Sequence, residues 1–276
     1  TETTLAAGWY VADGTLNYNQ TLIPSGDVHL ILKDNAVMNI GTAETPVSGN
    51  GFGDAGPNNF SIDIYGQSTG ENNGQLNVYA SQYGIWAYNG DFNCSNARVS
   101  VTASSYGIWA LAYNSSKGSI NLKDATVTVN VPGSNAIYAQ GGNINIDGGQ
   151  VSATGNDHVI YAYMQYNGGS ITINNSDVTA TATSDYCIFT GNGDIYINGS
   201  TVSATGNANV IYADRYSTGG YITIYNSDVT ATATSNYCIY AYGGNINIIG
   251  STVSATGNDY VIFSSRYSNG GTIYIS

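Results

Sequence analysis

Charge is scarce in this chain. Lys, Arg, Asp and Glu supply 9% of its 276 residues. A disordered segment couples low hydrophobicity to dense charge, and a coiled coil needs Ala, Glu, Lys, Leu and Arg in quantity, so both classes are excluded. Basic residues are rarer still, with 6 Lys plus Arg against 18 Asp plus Glu, a formal charge of -12. Such a surface repels phosphate backbones and anionic lipid, so nucleic acid is not expected as a partner. No apolar run reaches the roughly 18 residues of a spanning helix, and no membrane insertion is expected. Proline occurs 4 times and cysteine 3 times, an odd count that cannot close into a full disulfide framework. His29 and His158 stand alone, and no metal-ligand spacing is present, so neither metal nor cofactor is expected.

Turn formers and aromatics are abundant instead. The chain has 35 Gly and 24 Tyr, and Gly, Asn, Ser and Thr together fill 123 positions, yet 42% of residues are hydrophobic. Many tight turns around a real core are implied. Val151 to Asn156 recurs as Val202 to Asn207 and Val253 to Asn258, and Asp177 to Ser184 recurs as Asp228 to Ser235, so a 51-residue period runs from about residue 142. Each period holds two similar halves with an Ile-x-Ile, a Val-[Ser/Thr]-Ala and an Ile-aromatic-small segment.

Three ladders follow. The first runs Phe92, Ile120, Ile144, Ile171, Ile195, Ile222, Ile246, Ile273, and the second Val99, Val127, Val151, Val178, Val202, Val229, Val253. The third runs Ile85, Ile108, Ile137, Ile160, Ile188, Ile211, Ile239, Ile262. Short period-2 strands turned by Gly-Gly pairs cannot bury a face alone and must stack on their neighbours. The expected fold is all-β: a right-handed parallel β-helix (β-solenoid) with three short strands per coil and about ten coils. At ~4.8 Å per coil the rod is roughly 48 Å long. One domain, 1–276, is expected, with irregular coils over 1–60 and regular ones over 61–276.

The phrases Gly8-Trp9-Tyr10-Val11, Ser25 to Ala36 and Ile64-Tyr65-Gly66-Gln67-Ser68 resemble the start of secreted β-helix repeat proteins of anaerobic bacteria, in the broad pectin-lyase-like class. The resemblance implies an adhesin-like or carbohydrate-binding surface protein and carries no functional residue onto this chain. The later coils depart from it, ending in Ile-aromatic-Ala where many relatives are Gly-rich.

If each third-segment Ile points inward, then Trp86, Trp109, Tyr138, Tyr161, Phe189, Tyr212, Tyr240 and Phe263 form one outward aromatic stripe, a candidate carbohydrate or lateral-contact surface. The opposite phase places these rings inside, beside Val159, Cys187, Val210, Cys238 and Val261. Eight large rings are hard to pack in a narrow coil, which favours the outward phase. On the second segment, hydroxyls such as Ser152, Thr154, Thr179 and Thr181 face outward in two files, explained by β-propensity and cross-strand contacts. An ice-like or crystalline binding array is the sharper reading of those files, and Ser in half of the first one counts against it. Every second coil carries a longer corner, stacking Arg215 over Arg266 and Tyr216 over Tyr267. Planar Arg beside Tyr suits acidic sugars, and solvated loop tips explain the same residues.

Enzymatic chemistry is not expected. Asp177 and Asp228 recur two coils apart, about 9.6 Å by the coil spacing, which formally matches an inverting glycosidase. One carboxylate per 51 residues is better explained as turn chemistry. Cys94, Cys187 and Cys238 fall at inward positions as small core residues. Asn-x-[Ser/Thr] sequons occur about as often as composition predicts and carry no information. The opening at Thr1 suggests a processed, secreted chain, extracellular or at the cell surface. Gly271 to Ser276 forms only the first strand of a new coil. Either the chain continues, or Thr1 to Val11 of a neighbour completes that coil by strand addition. The expected function is a non-enzymatic structural or adhesive β-solenoid assembling head to tail, with polysaccharide binding through the aromatic stripe as the alternative.

Overall fold

A computed structural model describes all residues except 1–2, 55, 57, 71, 114–116, 164–168, 215–219 and 266–270. The described residues form strands and turns without a helix, and neighbouring coils pair in parallel. The result is a parallel β-solenoid of about ten turns. All three ladders are continuous in register. On the third face Ile85 pairs through Ile108, Ile137, Ile160, Ile188, Ile211 and Ile239 to Ile262. On the first, Phe92 continues through Ile120 to Ile273, and on the second Val99 continues through Val127 to Val253.

The core follows from that register. Ile, Val and Ala at alternate positions are buried, and the residues between them face outward, as a period of 2 requires. Cys94, Cys187 and Cys238 are free and fully buried within the core. Each coil seals the interior of the next, so the apolar cluster runs from Ala12 to Ile248 without a break. Upstream of residue 61 the third face is irregular. There the isolated bridges Leu22 to Phe52 and Phe52 to Ile85 carry the stacking in place of a full strand.

The corner between first and second faces follows the two-coil period from Gly148 onward. Asn96, Asp124, Gly148, Asn175, Gly199, Asn226 and Gly250 stack there, all in the left-handed region that Gly, Asn and Asp tolerate. A Cβ on Gly199 would stand 2.7 Å from Asn175 Oδ1, and one on Gly250 would stand 2.7 Å from Asn226 Oδ1. The amide of one coil therefore fills the space beside the next, and Asn alternates with Gly. Behind this column lies a serine ladder. Ser200 Oγ accepts the Ser176 N–H at 3.2 Å and donates to the Asn198 carbonyl at 2.8 Å. Ser227 Oγ accepts from Ser200 N–H and donates to the Tyr225 carbonyl in the same way.

Candidate functional site

The third face is the aromatic one. Ile at its centre points into the core, so the following residue points out, and the eight rings from Trp86 to Phe263 form an unbroken file along the axis. Successive ring centroids are 4.6 Å apart for Trp86 and Trp109, 4.7 Å for Tyr138 and Tyr161, 4.9 Å for Tyr161 and Phe189, and 5.0 Å for Tyr212 and Tyr240. Interplanar angles of 11°, 2°, 16° and 2° in those pairs show rings stacked face on face. Each aromatic pair contributes about 0.5–1.5 kcal/mol beyond its burial, so the file stiffens the rod along its length.

The stripe is recessed as well as outward. Trp86, Tyr138 and Phe189 are each only 8% exposed, because residues three before and two after the rings wall the file. Tyr83, Tyr106, His158, Tyr186 and Tyr237 stand on one side, and Tyr88, Tyr163 and Tyr242 on the other. The ring faces are occupied by neighbouring rings, and the floor presents edges. The Nε1 atoms of Trp86 and Trp109 are buried with no acceptor. Burial, then neighbouring phenols, pushes the Tyr138 hydroxyl well above the ordinary tyrosine range. Burial followed by the Asp214 carboxylate does the same for Tyr212. His158 packs on Tyr161 at 4.6 Å, and burial lowers its pKa against the opposing pull of Asp185 and Asp157.

The first face carries an amide ladder that the sequence reading did not single out. Asn145 Nδ2 donates to Asn121 Oδ1, Asn121 to Asn93, and Asn93 to Asp63 Oδ1, at 2.7, 2.7 and 2.6 Å. The other Asp63 oxygen stands 2.6 Å from His29 Nδ1, an ion-pair distance off the line a hydrogen bond needs. Trp9 stacks on His29 at 4.5 Å. The signal was the recurring Asn in the middle of Ile-x-Ile, where stacked amides can bond in series. The second face presents its expected hydroxyls in register, Thr128 over Ser152, Thr179, Ser203, Thr230 and Ser254. Asp177 and Asp228 lie in one file with Thr201 between them.

Arg215, Tyr216, Arg266 and Tyr267 lie outside the described residues. Among the described residues no group of three His, Cys, Asp or Glu side chains could hold a metal ion. Burial raises the thiols of Cys94 and Cys187 to about 12. No family model, curated protein or solved structure matches this chain.

Proposed function

We propose that this chain is a non-enzymatic structural or adhesive β-solenoid, secreted to the extracellular space or the cell surface, whose coils extend end to end through a second copy. The β-helix architecture and the opening phrases support a place beside pectin-lyase-like surface proteins. The observation that carries the assembly is register. Gly8, Val28, Ile62 and Phe92 share one column with Ile246 and Ile273, so Trp9 and Tyr274 occupy the same outward file at opposite ends. Trp9 is 64% exposed and Ile275 66%, while Ile248, one coil inward of Ile275, is 3% exposed. Beneath the first coil a cavity of about 70 Å³ opens between Leu5, Tyr10, Leu16, Leu30 and Phe52. Apolar surface and unpaired strand edges at both ends favour strand addition by another coil.

Size-exclusion chromatography with negative-stain microscopy at neutral pH tests this. Filaments with an axial repeat near the rod length, roughly 50 Å, are expected. Single rods at every concentration overturn it.

A second reading is favoured by the recessed aromatic floor. A polysaccharide lying along the axis between the tyrosine walls would meet ring edges and phenol hydroxyls.

A further inference from the structure

We infer that the first face of the later coils, where Tyr196 and Tyr225 are exposed among Asn174, Asn198, Thr223 and Asn247, is a binding surface for a neutral polysaccharide, separate from the aromatic file of the third face. The outward side of the first face changes character along the rod. From Asp63 to Asn145 its side chains bond in series and satisfy one another. Thr172 follows Asn145 in register, and the series stops there. Beyond it the same file continues through Tyr196, Thr223 and Asn247, and the file beside it runs Asn174, Asn198, Tyr225. Among the described residues, no protein group bonds the side chains of Thr172, Asn174, Asn198, Thr223 or Asn247. Asn174 and Asn198 even stand in register without the amide bond that joins Asn145 to Asn121.

Both rings are within reach of a ligand. Tyr196 is 40% and Tyr225 44% exposed, where Trp86 and Tyr138 of the third face are 8%. The Tyr196 hydroxyl donates to Asp194 Oδ2 at 3.1 Å, two residues back along the chain, so the side chain lies along its coil. Asp194 is itself held, its Oδ1 accepting the Tyr221 N–H of the next coil at 2.9 Å. Tyr196 pairs with Thr223 and Asn198 with Tyr225, so the two rings take one diagonal of a square and the amide and hydroxyl take the other. That diagonal spans roughly 8 Å between Cα atoms. A pyranose brings C–H groups for the rings, and its hydroxyls both donate and accept, as the free amides and the Thr hydroxyl require. No Lys or Arg stands at these outward positions, and the chain carries a charge of -12, so an acidic polysaccharide finds no counter-charge. A second copy of the chain would bury an apolar centre, whereas Ile195, Ile197, Ile222 and Ile224 all point into the core.

The test runs the full chain through affinity gels holding a soluble neutral β-glucan, a neutral xylan or polygalacturonate. At least one neutral polymer is expected to retard the protein, and polygalacturonate is expected to retard it less. The double variant Tyr196→Ala/Tyr225→Ala removes both exposed rings and is expected to weaken retention about tenfold or more, with the urea unfolding midpoint little changed. Undiminished retention of that variant overturns the inference, and if Tyr163→Ala/Tyr242→Ala loses retention instead, the third face holds the polymer alone. Equal or stronger retention by polygalacturonate overturns the neutral class. Failure of every polymer to retard the unsubstituted chain overturns the surface outright, and a concentration-dependent dimer abolished by the double variant would then give the face to a second copy. Should the double variant fail to fold, Asn198→Ala, an exposed position whose side chain bonds nothing in the protein, is read in its place, with weaker retention expected and unchanged retention overturning the inference.

Discussion

Tyr138, Tyr161 and Tyr212 show how a recessed stack changes the chemistry of single residues. Burial is the leading cause of the raised pKa in each, and it acts on the charged phenolate, which cannot be solvated between two rings. Tyr65 and Tyr186 are raised for the same leading reason. A folded pKa above the unfolded value of about 10 means the native state holds its proton longer. That stabilisation is fully present below pH 10 and is lost as pH rises from there through the folded pKa. The buried thiols of Cys94 and Cys187, raised from an unfolded value of about 8.5, obey the same rule, so the protein is expected to keep constant stability from neutral pH to about 8.5, to begin losing it there and to lose it steeply above about 10. A spectrophotometric titration of phenolate, run beside urea unfolding at each pH, checks this. Ionisation of all tyrosines near 10 in the folded protein would show that the stack does not shield them.

At the scale of the strand and its corners, the Asn and Gly column and the serine ladder fix where each strand ends. Gly199 has φ of +58°, where a Cβ is strained, and the Asn175 amide already occupies the adjacent space. Gly199→Ala is expected to cost about 1–2 kcal/mol from the left-handed backbone alone. Ser200→Ala leaves the buried Ser176 N–H without its acceptor, at about 1–3 kcal/mol. Urea unfolding of both variants measures these losses, and a neutral Ser200→Ala would mean that the ladder is spectator to the fold. This corner also marks the limit of what the residues disclosed in advance. The Ile and Val ladders gave strand identity, register and coil number, because a branched apolar residue at each inward position has one role in a coil. Asn175-Ser176, Gly199-Ser200, Asn226-Ser227 and Gly250-Ser251 were equally regular, yet polar pairs suit any turn, and only stacking reveals amide filling glycine's space. The aromatic stripe was legible as an outward file. Its recess was not, because depth depends on walls contributed by residues three positions before and two after the rings.

At the scale of the whole rod, each coil is held by two neighbours, except at the ends of the described stack. Nearest-neighbour stacking makes stability a sum along one axis, so opening free energy should rise from each end toward the middle. The strands at Ile137–Gln140, Ile160–Tyr163 and Ile188–Gly191 lie between two full coils, whereas Gly8–Ala12 and Ile273–Ile275 each have a single strand partner. Amide hydrogen exchange on the dilute protein is expected to show slow, nearly uniform exchange in the central strands and fast exchange at both outer ones. Raising the concentration then separates two behaviours that look alike in dilute solution. If copies stack end to end, the outer strands gain a second neighbour, and their exchange should slow toward the central rate while the centre stays unchanged. If the ends stay fast at every concentration, the end faces do not meet, and the rod acts as a single unit through its lateral faces.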